Sequence, residues 1–227
     1  MKNKNNFPEH ERRYLSADLE IRAAAETENS RQVRGYAAVF ESESEVLGDL
    51  RNRFVEKISR GAFDESDMSN VICLYNHDNN YVLGRSKNGQ GSMSMGIDER
   101  GLWYELDMPN TTLGNDLLES IKRGDIQSSS FAFSIANGGD TWAKEERDGQ
   151  SILSRTITKI SRVFDTSLVA SPAYPDATVA IRSLEQFQEE TREKEKSDSE
   201  ESQTPSKEEI SMSHWQRRLA LLDKTAV

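Results

Sequence analysis

His77 is the one histidine in the patterned body of this chain; His10 and His214 lie in its polar or highly charged ends. It sits in Asn76-His77-Asp78, directly after the apolar run Val71-Ile72-Cys73-Leu74-Tyr75 and just before Leu83-Gly84-Arg85. Chemistry that needs a base at neutral pH has to use this ring, because imidazole is the side chain whose unperturbed pKa, roughly 6.5, falls there. Two further stretches stand out, Ser128-Ser129-Ser130-Phe131-Ala132-Phe133 and Phe164-Asp165-Thr166-Ser167. A base, a hydroxyl and a carboxylate are the parts that acyl transfer through a serine requires.

Each part also has an ordinary structural use. A lone histidine after a strand is commonly a hydrogen-bonded scaffold residue, and a serine triplet is commonly a polar strand start. Asp165 could face solvent or pair with Arg162 or Arg182. Other features favour chemistry. Asn76 and Asp78 put polar groups at the exit of an apolar strand, where function is often carried on a rigid support. Asp165 interrupts an apolar run, where a carboxylate without a partner is costly. Pairing it with His77 would fix the ring tautomer and stabilise the imidazolium. Patterning does not choose among Ser128, Ser129 and Ser130. Cys73 lies inside an apolar strand, where cysteine is usually inert packing. With one cysteine, no histidine or cysteine at zinc spacing and no phosphate-binding glycine loop, neither a metal nor a cofactor is expected.

The elements that must position these groups are mainly strands. Val33 to Phe40 reads as a strand in which Gly35 suggests a bulge or close contact. Phe54 to Ile58 and Val71 to Tyr75 are further short apolar pieces, and Arg60-Gly61-Ala62-Phe63 is a turn into a possible short helix. Met93 to Ile97 and Leu102 to Met108 pair through the turn Asp98-Glu99-Arg100-Gly101. The clearest helix follows Pro109, capped by Thr111 or Thr112, with Leu113, Leu117, Leu118 and Ile121 on one side. Lys122-Arg123 suit its C-terminal end and Gly124 stops it. Ile126 to Ile135 is a strand, Gly138-Gly139 opens a polar loop reaching Gly149-Gln150, and Ile152 to Phe164 resumes strand character. Pro172-Ala173-Tyr174-Pro175 and then Val179-Ala180-Ile181 close the core. The fold class is therefore mainly β with embedded helices (α+β), in a barrel or sandwich.

Residues 1–32 read as a loosely structured arm, 33–183 as the one folded domain, and 184–227 as an acidic tail. Positions 188–209 hold no aliphatic or aromatic residue, so they cannot bury enough surface to offset chain entropy and are expected to be disordered or at most a solvated helix. Ile210, Met212, Trp215, Leu219 and Leu222 could then form a short amphipathic segment suited to docking. The chain has 227 residues and a net charge of −10, which argues against general nucleic-acid binding. No apolar run approaches the roughly 18 residues of a membrane span, and no hydrophobic segment follows Met1 to Asn6. A soluble, cytoplasmic protein is expected.

Six motifs occur in order: Gly35-Tyr36-Ala37-Ala38-Val39-Phe40, Gly61-Ala62-Phe63, Asn76-His77-Asp78 with Leu83-Gly84-Arg85, Leu117 to Asp125, Ser130-Phe131-Ala132-Phe133, and Pro172-Ala173-Tyr174-Pro175. Together they resemble the prohead maturation proteases of tailed bacteriophages over roughly residues 33–183. The resemblance implies a serine endopeptidase with a β-barrel like that of herpesvirus assembly proteases. It implies a place in the host cytoplasm inside the immature capsid, where such an enzyme cuts scaffolding segments from the major capsid protein and processes itself, with homo-oligomers plausible. By position, His77 resembles the family's base, Ser130 its nucleophile and Asp165 its acidic member. The competing class is a non-enzymatic assembly or scaffold-binding module of the same fold. A small-substrate esterase would be expected to carry a GxSxG elbow, which residues 124–133 do not.

Overall fold

Alternation of apolar and polar residues makes most of the described residues strand. The computed structural model describes residues 11–16, 20–22, 31–48, 53–147, 149–170, 184 and 187–193. In chain order the elements are β1 (Glu11–Ser16), β2 (Glu20–Arg22), β3 (Gln32–Val39), β4 (Phe54–Ile58), β5 (Asn70–Tyr75), β6 (Asp78–Lys87), β7 (Gln90–Gly91), β8 (Met93–Ile97), β9 (Gly101–Asp107), α1 (Thr112–Lys122), β10 (Ser128–Ile135), β11 (Asp140–Arg147), β12 (Gln150–Ile157) and β13 (Ile160–Val169). The chain divides into two units, residues 1–182 and 183–227. In the second, residues 187–193 are helical, with the Thr191 hydroxyl donating to the Phe187 carbonyl at 2.8 Å.

The expectation of a mainly β fold holds, but the barrel does not. The strands form three sheets, ordered β1-β10-β13-β5-β6-β7, β11-β12-β4 and β2-β3-β9-β8. Closure requires the first and last strands of a sheet to pair, and among the described residues none of the three does so. Short strands at regular spacing are common to barrels and open layered sheets, so spacing alone favoured neither.

The core lies where the six-stranded and four-stranded sheets face each other. Val71, Cys73, Phe131, Phe133 and Leu168 belong to one cluster with Val33, Met93, Leu102, Tyr104 and Leu106. Polar contacts also cross between the sheets, among them Tyr104 to Ser129, hydroxyl to hydroxyl at 2.7 Å, and the Thr166 hydroxyl donating to Met93 Sδ at 3.5 Å. Helix α1 adds Leu117, Leu118 and Ile121 to the same cluster. Each such side chain, fully buried, contributes about 1.5–3 kcal/mol. Thr111, not Thr112, caps the helix: its Oγ1 accepts from the Gly114 amide at 3.1 Å. Gly124 follows the helix at φ +78°.

Three local expectations are corrected. The polar loop expected from Gly138 to Gln150 is the hairpin β11–β12, paired from Asp140↔Ile157 to Arg147↔Gln150. β11 is the outer strand of its sheet, so Thr141, Ala143 and Lys144 stay exposed while Trp142 packs inward, 5.0 Å from Phe54 between ring centroids. An edge strand of this kind lacks the alternation that marks a half-buried one. Residues 60–65 form successive turns rather than a helix, with Gly61 at φ +84°. The irregularity in β3 falls between Tyr36 and Ala38, while Gly35 pairs regularly with Tyr104. The expectations for Pro172 to Pro175, Val179 to Ile181, most of 188–209 and the segment Ile210 to Leu222 lie outside the described residues.

Gly101 ends the Asp98 turn, where Asp98 Oδ1 accepts from the Arg100 and Gly101 amides at 2.9 and 3.0 Å. A Cβ there would lie 2.0 Å from the Ala38 carbonyl oxygen. Gly101→Ala is expected to cost about 1–3 kcal/mol, read as a lower urea midpoint, because the backbone of β3 has to shift. An unchanged midpoint would show that β3 yields freely.

Candidate active site

β5 and β6 are joined by only two residues, Asn76 and His77, because Tyr75 pairs with Asp78. Both have positive φ, 52° and 56°. A two-residue hairpin of right-handed twist favours this conformation, and asparagine and histidine tolerate it better than most side chains. The turn is tied to the end of β13. The Asn76 amide donates to the Leu168 carbonyl at 2.9 Å, the His77 amide to Ser167 Oγ at 3.2 Å, and the Ala170 amide to Asn76 Oδ1 at 3.2 Å. Left-handed backbone outside glycine persists where surrounding contacts over-determine it, a common condition at functional sites. The ring of His77 is therefore aimed by the backbone as well as by its side-chain contacts.

Strand alternation separates the three serines. Ser130 pairs across to Ser167, and Ala132 to Asp165, so these side chains share one face of the six-stranded sheet. Ser129 points to the opposite face, where it meets Tyr104 in the core. Ser128 stands at the start of β10 on the Ser130 face. Of these three, Ser130 is the one that contacts His77, with Oγ 2.6 Å from His77 Nε2.

Asp165 completes the line, its Oδ1 2.6 Å from His77 Nδ1. A carboxylate only accepts, so this contact places the ring proton on Nδ1 and leaves Nε2 as an acceptor facing Ser130. The parallel pairing of β13 with β5, Asp165 opposite Ile72 and Ser167 opposite Leu74, sets the carboxylate beside the hairpin tip. The structure thus brings together His77, Ser130 and Asp165, which are 88 positions apart at most. It adds Ser167, which sequence patterning did not single out. Ser167 Oγ lies 3.2 Å from His77 Nδ1 and donates to Asp165 Oδ1 at 3.2 Å. The available signal was its place two residues after Asp165 on a strand, hence on the same face. A cavity of about 250 Å³ opens beside His77 and Asp165, with Arg12, Ile72, Leu74 and Phe164 in its wall.

On the other face of β1 lies a buried charge cluster that patterning also missed. Arg13 grips Glu56 with two prongs, Nε to Oε1 at 2.5 Å and Nη2 to Oε2 at 2.8 Å, and contacts Glu11 as well. Arg155 bonds Glu11 at 2.6 and 2.9 Å, Glu56 at 2.8 Å and Asp140 at 2.8 Å. Burial opposes ionisation of Glu56, but Arg13 and then Arg155 outweigh it and hold its pKa below the ordinary value. The signal was a charge in the inward phase of an alternating strand: Phe54-x-Glu56-x-Ile58 and Leu153-x-Arg155-x-Ile157.

Cys73, by contrast, takes no part. It is fully buried in β5, and that burial pushes its thiol up to about 12. The native chain is expected to resist a disulfide reagent such as DTNB until it unfolds. Rapid stoichiometric labelling of folded protein would contradict the packing of β5.

Among the described residues no helix is long and apolar enough to cross a membrane. Comparison with curated proteins and with solved structures returns no match. A family model described as caudovirus prohead serine protease matches residues 17–192. That span takes in His77, Ser130 and Asp165 and most of the chain, and the chain belongs to this family of prohead serine proteases.

Proposed function

We propose that this chain is a serine endopeptidase that cuts capsid or scaffold segments inside the immature capsid, with Ser130 as nucleophile, His77 as base and Asp165 as the residue that orients His77. The observation that carries the reading is the continuous contact Ser130 Oγ to His77 Nε2 and His77 Nδ1 to Asp165, each 2.6 Å. Hydroxyl, base and carboxylate within hydrogen-bond reach are what activation of a serine needs.

In this reading Ser130 Oγ adds to the scissile carbonyl carbon as its proton moves to His77 Nε2. His77 then passes that proton to the leaving amine, and water repeats the sequence on the acyl-enzyme. Asp165 keeps the Nδ1 proton in place and stabilises the imidazolium without taking the proton itself. Ser167 holds both partners, since its hydroxyl contacts the Asp165 carboxylate, the His77 ring and the His77 amide. The major capsid protein with its scaffolding segment is the proposed substrate, and the chain's own ends are proposed sites of self-cleavage.

The test is co-expression with the capsid protein encoded by the same phage, followed by intact-mass analysis of both proteins over time. Shortening with the wild type and none with Ser130→Ala supports the reading. An assembly module without catalysis would leave the capsid protein equally intact or equally shortened with either chain.

A further inference from the structure

β1 lies directly along the nucleophile. It pairs antiparallel with β10, Tyr14 opposite Ser130 and Arg13 opposite Phe131. The Arg13 carbonyl oxygen accepts from Ser130 Oγ at 2.9 Å, and Ser130 has no exposed surface. A serine so covered cannot meet a peptide while this strand is in place. Its single hydroxyl proton is also contested, because His77 Nε2 and the Arg13 carbonyl are both acceptors within reach.

What β1 does here is what a bound peptide must do. It runs extended, adds a strand to a sheet edge and sets one carbonyl against the nucleophile, the usual form of strand-addition recognition. In the sheet order β1-β10-β13, removing β1 makes β10 the edge, so an incoming strand would find its free edge at Ser130.

The residue that offers this carbonyl also fills a built pocket. Arg13 sends its guanidinium to Glu56 through two hydrogen bonds and lies 5.8 Å from the Phe133 ring centroid. Without β1, Glu56 loses Arg13 and keeps its contact with Arg155 alone among the cations of the cluster. A buried carboxylate short of a partner is costly, and a planar fork of donors matches it better than an ammonium does. The vacated pocket therefore calls for a guanidinium.

We infer that β1 rests in the substrate groove in substrate register, and that the Glu56 pocket selects arginine at the residue whose carbonyl is attacked. This rests on Ser130 being the nucleophile. In the reaction the Ser130 oxygen bonds to the arginine carbonyl carbon. The bond from that carbon to the next residue's nitrogen breaks, and the serine proton reaches that nitrogen through His77. Water then replaces Ser130 on the carbon, leaving an arginine carboxylate and the restored hydroxyl.

The test co-expresses the full chain with the capsid protein and with a reporter of two folded domains. The reporter linker carries residues 9–18 with Arg12→Ala, so that one arginine remains, and is compared with linkers in which that arginine is Lys, Gln or Glu. Cleavage on the carboxyl side of the arginine, at least about tenfold faster than in the Gln linker, is the expected result; Ser130→Ala should cut neither. A chain carrying Glu56→Gln should lose most of that preference, and the wild-type comparison decides even if this variant folds poorly. Cleavage of the capsid protein with the arginine linker untouched, or with the Gln linker cut equally fast, overturns the inference and leaves the protease reading standing. A wild-type chain that cuts neither protein overturns both.

Discussion

Replacing Ser130 with alanine, or His77 with asparagine, is expected to lower the rate of capsid-protein cleavage by about a million-fold. Ser130→Ala removes one oxygen from a buried strand position and leaves the β10 backbone pairing untouched, so the fold should survive. Asparagine is the better probe at 77 because that residue sits at φ 56°, a conformation asparagine tolerates and most side chains resist. The two losses should not add, since either change alone removes the activated nucleophile. Asp165→Asn should be milder, about 10⁴-fold, because the amide still fills the space but favours the wrong ring tautomer. Time courses of capsid-protein mass for each variant, beside circular dichroism of the purified chains, measure both halves of the prediction. Ser130→Ala cleaving at the wild-type rate would end the assignment.

Breaking the buried charge cluster should cost the fold nearly as dearly. Arg155→Ala takes a cation from Glu11, Glu56 and Asp140 and leaves Glu11 and Glu56 to share Arg13. Removing one partner of a buried pair typically costs about 3–5 kcal/mol, here a fall in Tm on the order of 10 °C. Acid should act on the same group. The Glu56 pKa is lowered in the folded chain, burial opposing and Arg13 with Arg155 prevailing. Its contribution is therefore complete above the ordinary glutamate value, about 4.3, and is lost as pH falls through the lower folded value. Urea midpoints should stay level from neutral pH down to about pH 5 and then drop below about pH 4. Glu56→Gln should start lower and fall less over the same acid range. A wild-type midpoint that is flat to pH 3, or an Arg155→Ala chain as stable as wild type, would show that the cluster contributes little.

Much of the site was legible before any coordinates. Val71 to Tyr75 announces a buried strand, and the change to Asn76-His77-Asp78 marks its exit. α1 shows its cap, its apolar stripe and its stop in the sequence. The choice of nucleophile was not legible from patterning, because Ser128, Ser129 and Ser130 are chemically identical and only strand phase sends Ser129 to the core and Ser130 to His77. Ser167 escaped because its place two residues after Asp165 gives only a shared face, and its contact with His77 depends on the register of β13 against β5. The β11–β12 hairpin escaped for a different reason: an outer strand contacts little and so needs few apolar residues. The barrel expectation failed because closure is a property of which strands pair, and strand spacing does not encode it.

Arg13 also sets a problem of timing. It is made 142 residues before Arg155 (155 − 13), and translation proceeds at about 5–20 residues per second, so Arg13 waits roughly 7 to 28 s for that partner. β10, the strand it pairs with, is likewise more than a hundred residues downstream. During that interval the first strand of the six-stranded sheet has nothing of its own chain to add to, and any exposed strand edge nearby competes for it. β1 is thus placed well after it is made, and Ser130 is covered only once β10, more than a hundred residues further on, has followed it.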